Sequence, residues 1–157
     1  MPDRSVVHST FVIERSYPAS PERVFTAFAD PARKRRWFAH DSSMTVEQFE
    51  VDFRVGGRDI ARYRFNEGTL FPGTLLANEI LYHDILPNRR IVTSSTMIMG
   101  DRRISASLTT FELLPKDGGT ELVFTEQAAF FEGADGPEMR EAGWRKLLDK
   151  LGQEILR

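Results

Sequence analysis

The last stretch of the chain, Pro137–Arg157, constrains the fold more than any other. Trp144, Leu147, Leu148, Leu151 and Ile155 recur at helical spacing and fall within an arc of about 100°. Arg145, Lys146, Asp149 and Gln153 lie on the opposite side. A helix of this length runs roughly 30 Å, about the width of a small domain. Such a stripe must be buried against something, and nearly everything before it reads as strand. The spacing therefore predicts one long helix laid on a sheet, with the space between them open to a ligand.

Ahead of that helix the sequence divides cleanly. Residues 1–7 read as a short unanchored arm, and His8–Tyr17 as a strand with Phe11 and Ile13 on one face and Val12 on the other. Ser20-Pro21 is a helix start, Ser as N-cap and Pro at the first helical position. That helix presents Val24, Phe25 and Phe28 on one face. Asp30-Pro31 repeats the signal, so a second short helix follows and ends near Trp37-Phe38. The basic run Arg33-Lys34-Arg35-Arg36 on the second helix reads as a solvated face rather than a nucleic-acid contact.

From Met44 to Phe130 the period becomes two. Phe49, Val51 and Phe53 alternate with Glu50 and Asp52, and Ala61, Tyr63 and Phe65 with Arg62 and Arg64, which predicts aromatics inward and arginines outward. Turns are marked at Gly56-Gly57, Asn66-Glu67-Gly68, Leu86-Pro87-Asn88, Gly100-Asp101 and Lys116-Asp117-Gly118-Gly119. Further strands read over Thr74–Ile85, Ile91–Met99, Arg103–Leu114 and Thr120–Ala128. Connections this short join antiparallel neighbours, because a parallel crossover needs a dozen or more residues. The expectation is a single domain of the α+β class: a curved seven-stranded antiparallel sheet wrapped around the C-terminal helix, with two short helices after the first strand closing one end.

Several functions are disfavoured by composition. With 21 basic and 23 acidic side chains, a net charge of −2 offers no general attraction for nucleic acid or an anionic membrane. The chain has no Cys, so disulfides, thiolate metal sites and a Cys nucleophile are excluded. His8, His40 and His83 are scattered with no helical pairing, and no phosphate loop, dinucleotide fingerprint or nucleophile elbow occurs. No cofactor and no metal are expected. The N-terminus lacks the apolar core of a signal peptide, which predicts a cytoplasmic location.

The candidates for chemistry are few. Strict alternation puts Leu122, Phe124 and Glu126 on one face, so Glu126 either faces the interior as a ligand acceptor or general base, or ends solvated or paired with an Arg. Tyr63 and Tyr82 can orient a ligand through their hydroxyls, or stand as core aromatics bonded to backbone. Met97 and Met99 share a face as pocket lining or core filler. Trp144 leads the helical stripe, and Gly143 beside it would let the helix approach the sheet or Phe130-Phe131 closely. The segment Glu132-Gly133-Ala134-Asp135-Gly136 that follows reads as a lid. Trp37, Phe38, Phe49, Phe65, Leu148 and Leu151 complete the expected ligand lining.

Taken together in order and spacing, a set of segments resembles a known family. They are Tyr17-Pro-Ala-Ser-Pro-Glu-Arg-Val-Phe25, Asp30-Pro31 with Arg36-Trp37-Phe38, and Phe53-Arg-Val-Gly-Gly57. Tyr82-His-Asp-Ile-Leu-Pro-Asn-Arg-Arg-Ile-Val92, Ile104-Ser-Ala-Ser-Leu108 and Thr125-Glu-Gln127 with Phe130 follow, then Arg140-Glu-Ala-Gly-Trp144 leading to Leu147-Leu148-Asp149-Lys150-Leu151. Across residues 9–157 the chain resembles the SRPBCC or START-like helix-grip superfamily, nearest to bacterial proteins related to the heat-shock-protein-90 ATPase activator. The resemblance implies the helix-grip fold and a cavity between sheet and helix. It implies less about activity, since one scaffold hosts carriers, cyclases, hydrolases and chaperone partners. The eukaryotic activators add an N-terminal domain and an Asn-Asn-Trp-His-Trp type motif, neither of which is found in this sequence.

The expected function is binding of a small apolar or amphipathic molecule in a cavity of roughly 300–1,000 Å³. The alternatives are a cyclase- or hydrolase-type enzyme using Glu126 or a tyrosine, and a stress-linked partner of a chaperone. A homodimer is compatible with each.

Overall fold

The computed structural model describes residues 5–157. The expected arm therefore lies mostly outside the described residues, and its last residue, Val7, already pairs with Phe130. The chain runs β1 (Val7–Tyr17), α1 (Pro21–Ala29), α2 (Pro31–Phe38), β2 (Met44–Val51), β3 (Arg58–Phe65), β4 (Leu75–Leu86), β5 (Arg90–Met99), β6 (Arg102–Lys116), β7 (Gly119–Phe130) and α3 (Pro137–Ile155). All seven strands form one antiparallel sheet in the order β1-β7-β6-β5-β4-β3-β2. β2 to β7 form a meander, and β1 closes beside β7.

Curvature has an identifiable source. Register shifts interrupt the β2–β3 ladder after Val46, the β4–β5 ladder after Tyr82 and the β5–β6 ladder after Met97. Each bulge adds twist and bends its strand, so the sheet folds over its inner face. At the third, Ile104 and Ser105 are consecutive and both buried, which strict alternation forbids.

The two short helices start as the sequence predicts. Ser20 Oγ accepts from the Arg23 N–H, and the Asp30 carboxylate accepts from Ala32 and Arg33 at 3.0 and 3.3 Å. The Trp37 indole N–H donates to the Ala27 carbonyl at 2.8 Å and fixes the corner between them. They do more than close one end: Val24, Ala27, Phe28 and Trp37 are fully buried, so α1 and α2 share with α3 the covering of the sheet.

On α3, Leu148, Leu151 and Ile155 have no exposed surface. Tyr17 of β1 donates its hydroxyl to the Leu148 carbonyl at 2.7 Å. The close approach expected at Gly143 is found about two and a half turns downstream, at Gly152. A Cβ on Gly143 would meet open space, whereas one on Gly152 would lie 3.1 Å from the Tyr17 ring. Gly143 sits on the solvent side of the stripe. No helix among the described residues is long and apolar enough to cross a membrane.

Candidate functional site

Alternation along β4 to β7 decides what faces α2 and α3. Asn78, Ile80 and Tyr82 of β4 stand opposite Met97, Ser95 and Thr93 of β5. On β6 the inward residues are Ser105, Ser107, Thr109 and Phe111, and on β7 Phe124 and Glu126. The middle of this floor is therefore hydroxyl- and amide-bearing where a filled core would be aliphatic. Its walls are aromatic: Phe28 with Trp37 at 5.1 Å and with Phe111 at 4.9 Å between ring centres, and Trp144 with Phe111 at 5.9 Å and with Phe38 at 6.1 Å.

The hollow these groups enclose measures about 30 Å³. That is space for a water molecule, not for the metabolite-sized cavity the sequence predicts. The reason is volume. Six large aromatic side chains line the gap, and the small Ser, Thr and Asn side chains of the floor leave only a remnant. A larger depression of about 420 Å³ lies over β1, β7 and β6 at His8, Thr10, Leu108 and Gln127. It opens broadly to solvent, whereas the inner hollow is largely enclosed, so the inner hollow is the candidate site.

On the α2 side of the hollow sits a buried ionic triad. Lys34 Nζ lies 2.5 Å from Asp59 Oδ2 and donates to the Tyr82 hydroxyl at 3.0 Å, and that hydroxyl donates to Asp59 Oδ2 at 2.6 Å. Lys34 is 6% exposed and Asp59 fully buried. The ammonium also lies 5.0 Å from the centre of the Phe38 ring. Burial, reinforced by the Asp59 carboxylate, pushes the Tyr82 phenol far above its ordinary range. This corrects the expectation of a solvated basic face at Lys34, while Arg35 and Arg36 are exposed as expected. Lys34 shares its side of α2 with Trp37 and Phe38, three and four residues on. Arg36, on another side, makes a forked pair with the buried Glu154, its shortest contact 2.6 Å, and holds that carboxyl below the usual range.

The α3 side carries the second polar group. Glu126 is 2% exposed. Its Oε1 accepts from the Trp144 indole N–H at 3.3 Å, and its Oε2 is buried with no partner. Burial raises the Glu126 carboxyl, against an opposing pull from the Arg140 guanidinium and the indole N–H. Arg140 itself is 8% exposed. It grips Asp135 through two N–H groups at 2.7 and 2.8 Å, donates to Ser105 Oγ at 2.9 Å and lies 5.0 Å from the centre of the Phe130 ring. The expected lid, residues 132–136, is thus tied through Asp135 to the first turn of α3 and, by way of Arg140, to the floor of the sheet. Asn78 Oδ1 and Asp59 Oδ1 are likewise buried without partners.

The structure brings together Trp37, Phe38, Tyr82 and Trp144 at the hollow. Phe124 backs Trp144 at 4.5 Å, Phe49 packs on Phe38 at 6.2 Å, and Met97 and Phe130 hold Arg140. Others lie elsewhere. Leu148 and Leu151 belong to the solid core, Tyr63 to a small cluster with Ala39 and Ala61, and Met99 stands opposite Leu76 near the end of β5. Phe65 meets the exposed Phe71 in the β3–β4 connection. Sequence reasoning missed Lys34, Asp59, Arg140 and the Ser/Thr/Asn floor. One signal was available: Asp59 has the parity of Ala61 and Tyr63, and an inward carboxylate requires a buried donor. Among the described residues no cluster of His, Asp and Glu is arranged to hold a metal ion.

Comparison with known proteins places this arrangement. The family described as Activator of Hsp90 ATPase homolog 1-like protein matches residues 18–155. No curated protein matches the chain. Among solved structures, the Mll3558 protein of Rhizobium loti is 46% identical with a TM-score of 0.86, over 96% of this chain and 99% of that one. An uncharacterised protein of Rhizobium leguminosarum is 38% identical with a TM-score of 0.90, over 99% of both chains. The AHSA1-like protein of Aeromonas hydrophila, at 21% identity and a TM-score of 0.67 over 94% of this chain and 92% of that one, shares the fold.

Proposed function

The chain belongs to the Activator of Hsp90 ATPase homolog 1-like family, and from that premise and its inner face we propose that it is a cytoplasmic binding protein for a small amphipathic molecule. The ligand sits between the floor of β4 to β7 and the helices α2 and α3. The observation that carries this reading is a pair of buried, unpartnered oxygens, Asn78 Oδ1 on the aromatic-walled hollow and Glu126 Oε2 next to its lining residues Trp144 and Thr109. Leaving a buried acceptor unmade costs about 1–3 kcal/mol, so a donor-bearing guest gains what the empty protein forgoes. The aromatic walls receive the guest's carbon body.

Entry requires the walls to move, because the hollow holds about 30 Å³. Trp144 is half-buried on the lid side of α3, and its displacement along with residues 132–136 enlarges the site. Both tryptophans of the chain, Trp37 and Trp144, line the hollow and report on it. The test is a metabolite and lipid panel screened by thermal shift and native mass spectrometry, with tryptophan emission as the local readout. Binding that shifts the emission supports the reading. A panel in which no compound raises Tm or alters emission removes it.

Burial of Glu126 favours a second reading, in which the same carboxyl acts as an acid–base group on the bound molecule. Glu126→Gln then abolishes turnover, a loss far larger than any change in binding of the reactant.

A further inference from the structure

The charges around the hollow define the ligand's polar end. Two buried cations and three carboxylates stand on or near the hollow, Lys34 in its lining and Glu126 next to the lining residues Trp144 and Thr109, and both cations are engaged. Lys34 is paired with Asp59 at 2.5 Å. Arg140 is held by Asp135 through two N–H groups and turns its remaining contacts to Ser105 and Met97. Glu126 is the carboxylate left over. It is 2% exposed, its Oε1 receives an uncharged indole N–H, its Oε2 has no hydrogen-bond partner, and the one other group that pulls on it by hydrogen bonding is the neutral Ser107 hydroxyl. Arg140 acts on it through space, but none of the guanidinium hydrogen bonds reaches it.

The surroundings of Glu126 suit a cation. Trp144 lies directly on it, Phe124 is 4.5 Å from Trp144 between ring centres, and Phe111 and Phe38 complete the wall at 5.9 and 6.1 Å. Ring faces attract an ammonium electrostatically, most strongly where water is excluded. Thr109, the register partner of Glu126, offers a hydroxyl oxygen on the floor. An anionic guest finds no free positive charge here. A water molecule would satisfy Oε2 but would not stabilise the ionised carboxylate as an ammonium does, since burial by itself favours the neutral acid.

We infer that the ligand of this site carries an amine, bound as an ammonium ion with an N–H on Glu126 Oε2 and its carbon chain along Trp144, Phe111 and Phe38. This inference rests on the inner hollow being the ligand site, and it narrows the class from amphipathic molecules in general to organic amines.

The test uses three probes of one chain length: n-hexylamine, 1-hexanol and hexanoate. Each is titrated into the full-length protein near pH 7 at constant ionic strength, with calorimetry and tryptophan emission as readouts. A charge-assisted hydrogen bond together with the aromatic faces predicts that hexylamine binds at least about tenfold more tightly than hexanol. Hexanoate binds most weakly. Glu126→Gln, with its fold checked by circular dichroism, brings hexylamine down to the level that hexanol shows on the same variant. Hexanol or hexanoate binding as tightly as hexylamine to the wild-type protein overturns the amine assignment while retaining the hollow as a site. An amine preference that survives in Glu126→Gln overturns it also. If none of the three binds, the amine assignment and the proposed site fall together. The wild-type ranking decides the question even where the variant does not fold.

Discussion

Replacing Lys34 by Met keeps the side-chain stem and deletes the charge at the centre of the α2 triad. The loss is large because Asp59 has nowhere else to turn. Its Oδ2 would retain the Tyr82 hydroxyl at 2.6 Å, while its Oδ1 already lacks a partner. Asp59 is fully buried, so water does not replace the ammonium. Breaking a buried pair from one side costs about 3–5 kcal/mol. For a chain of this size that corresponds to a fall in Tm of about 6–20 °C. Lys34→Met/Asp59→Leu removes both charges and fills their place with apolar atoms, and its stability should return to within about 1 kcal/mol of wild type. Urea unfolding followed by circular dichroism and by emission of the neighbouring Trp37 gives the four corners of the cycle. A Lys34→Met cost below about 1 kcal/mol, or a double variant as unstable as the sum of its singles, would refute the claim that Lys34 is desolvated and bonded chiefly to Asp59.

Other outcomes follow from the same contacts. Burial raises the folded-state value of Glu126 above its ordinary 4.5, so the stability it supports is complete below that pH and is lost as pH rises through the raised value. Glu126→Gln should therefore match wild type near pH 4 and exceed it in denaturation midpoint near pH 8, and equal pH profiles would contradict this. Glu154, held low by Arg36, behaves oppositely: its contribution is present above its ordinary 4.5 and is lost as pH falls through the lowered value, which an acid titration of Glu154→Gln against wild type detects. Gly143→Ala, into open space on an exposed helix face, should stabilise by about 0.5–1 kcal/mol. Gly152→Ala should gain less or lose stability, because its new Cβ meets the Tyr17 ring at 3.1 Å, and thermal melts of the two side by side check the difference. Tyr17→Phe removes one hydroxyl donor to the Leu148 carbonyl and should cost about 0.5–1.5 kcal/mol in the same melts.

The elements and their order were legible because each rests on local rules. Ser20-Pro21 and Asp30-Pro31 announce helix starts by capping chemistry, and both caps form as expected. Ala61 and Tyr63 are buried between exposed arginines because a strand alternates whatever lies beyond it. The same alternation put Glu126 inside, beside Phe124. These signals span two to four residues, and the sequence displays them directly. The bulge at Ile104-Ser105 was not legible, since an extra residue in one strand is defined only by its partner.

The sequence alone determined the α+β class, the antiparallel meander and the apolar stripe of α3, and it left Glu126 open between the interior and solvent. Tertiary structure decided which polar groups meet and how much space is left. Lys34 and Asp59 are 25 residues apart and become a pair only when α2 is laid across β3 and β4. Arg140 finds Ser105 across 35 residues in the same way. Cavity volume is a small difference between the gap under three helices and the side chains that fill it. Twelve Phe and two Trp state how much aromatic mass there is, but not whether it lines a chamber or plugs it. The long helix does close over the sheet, and what it closes over is a hydroxyl floor, two engaged cations and one carboxylate still lacking a partner.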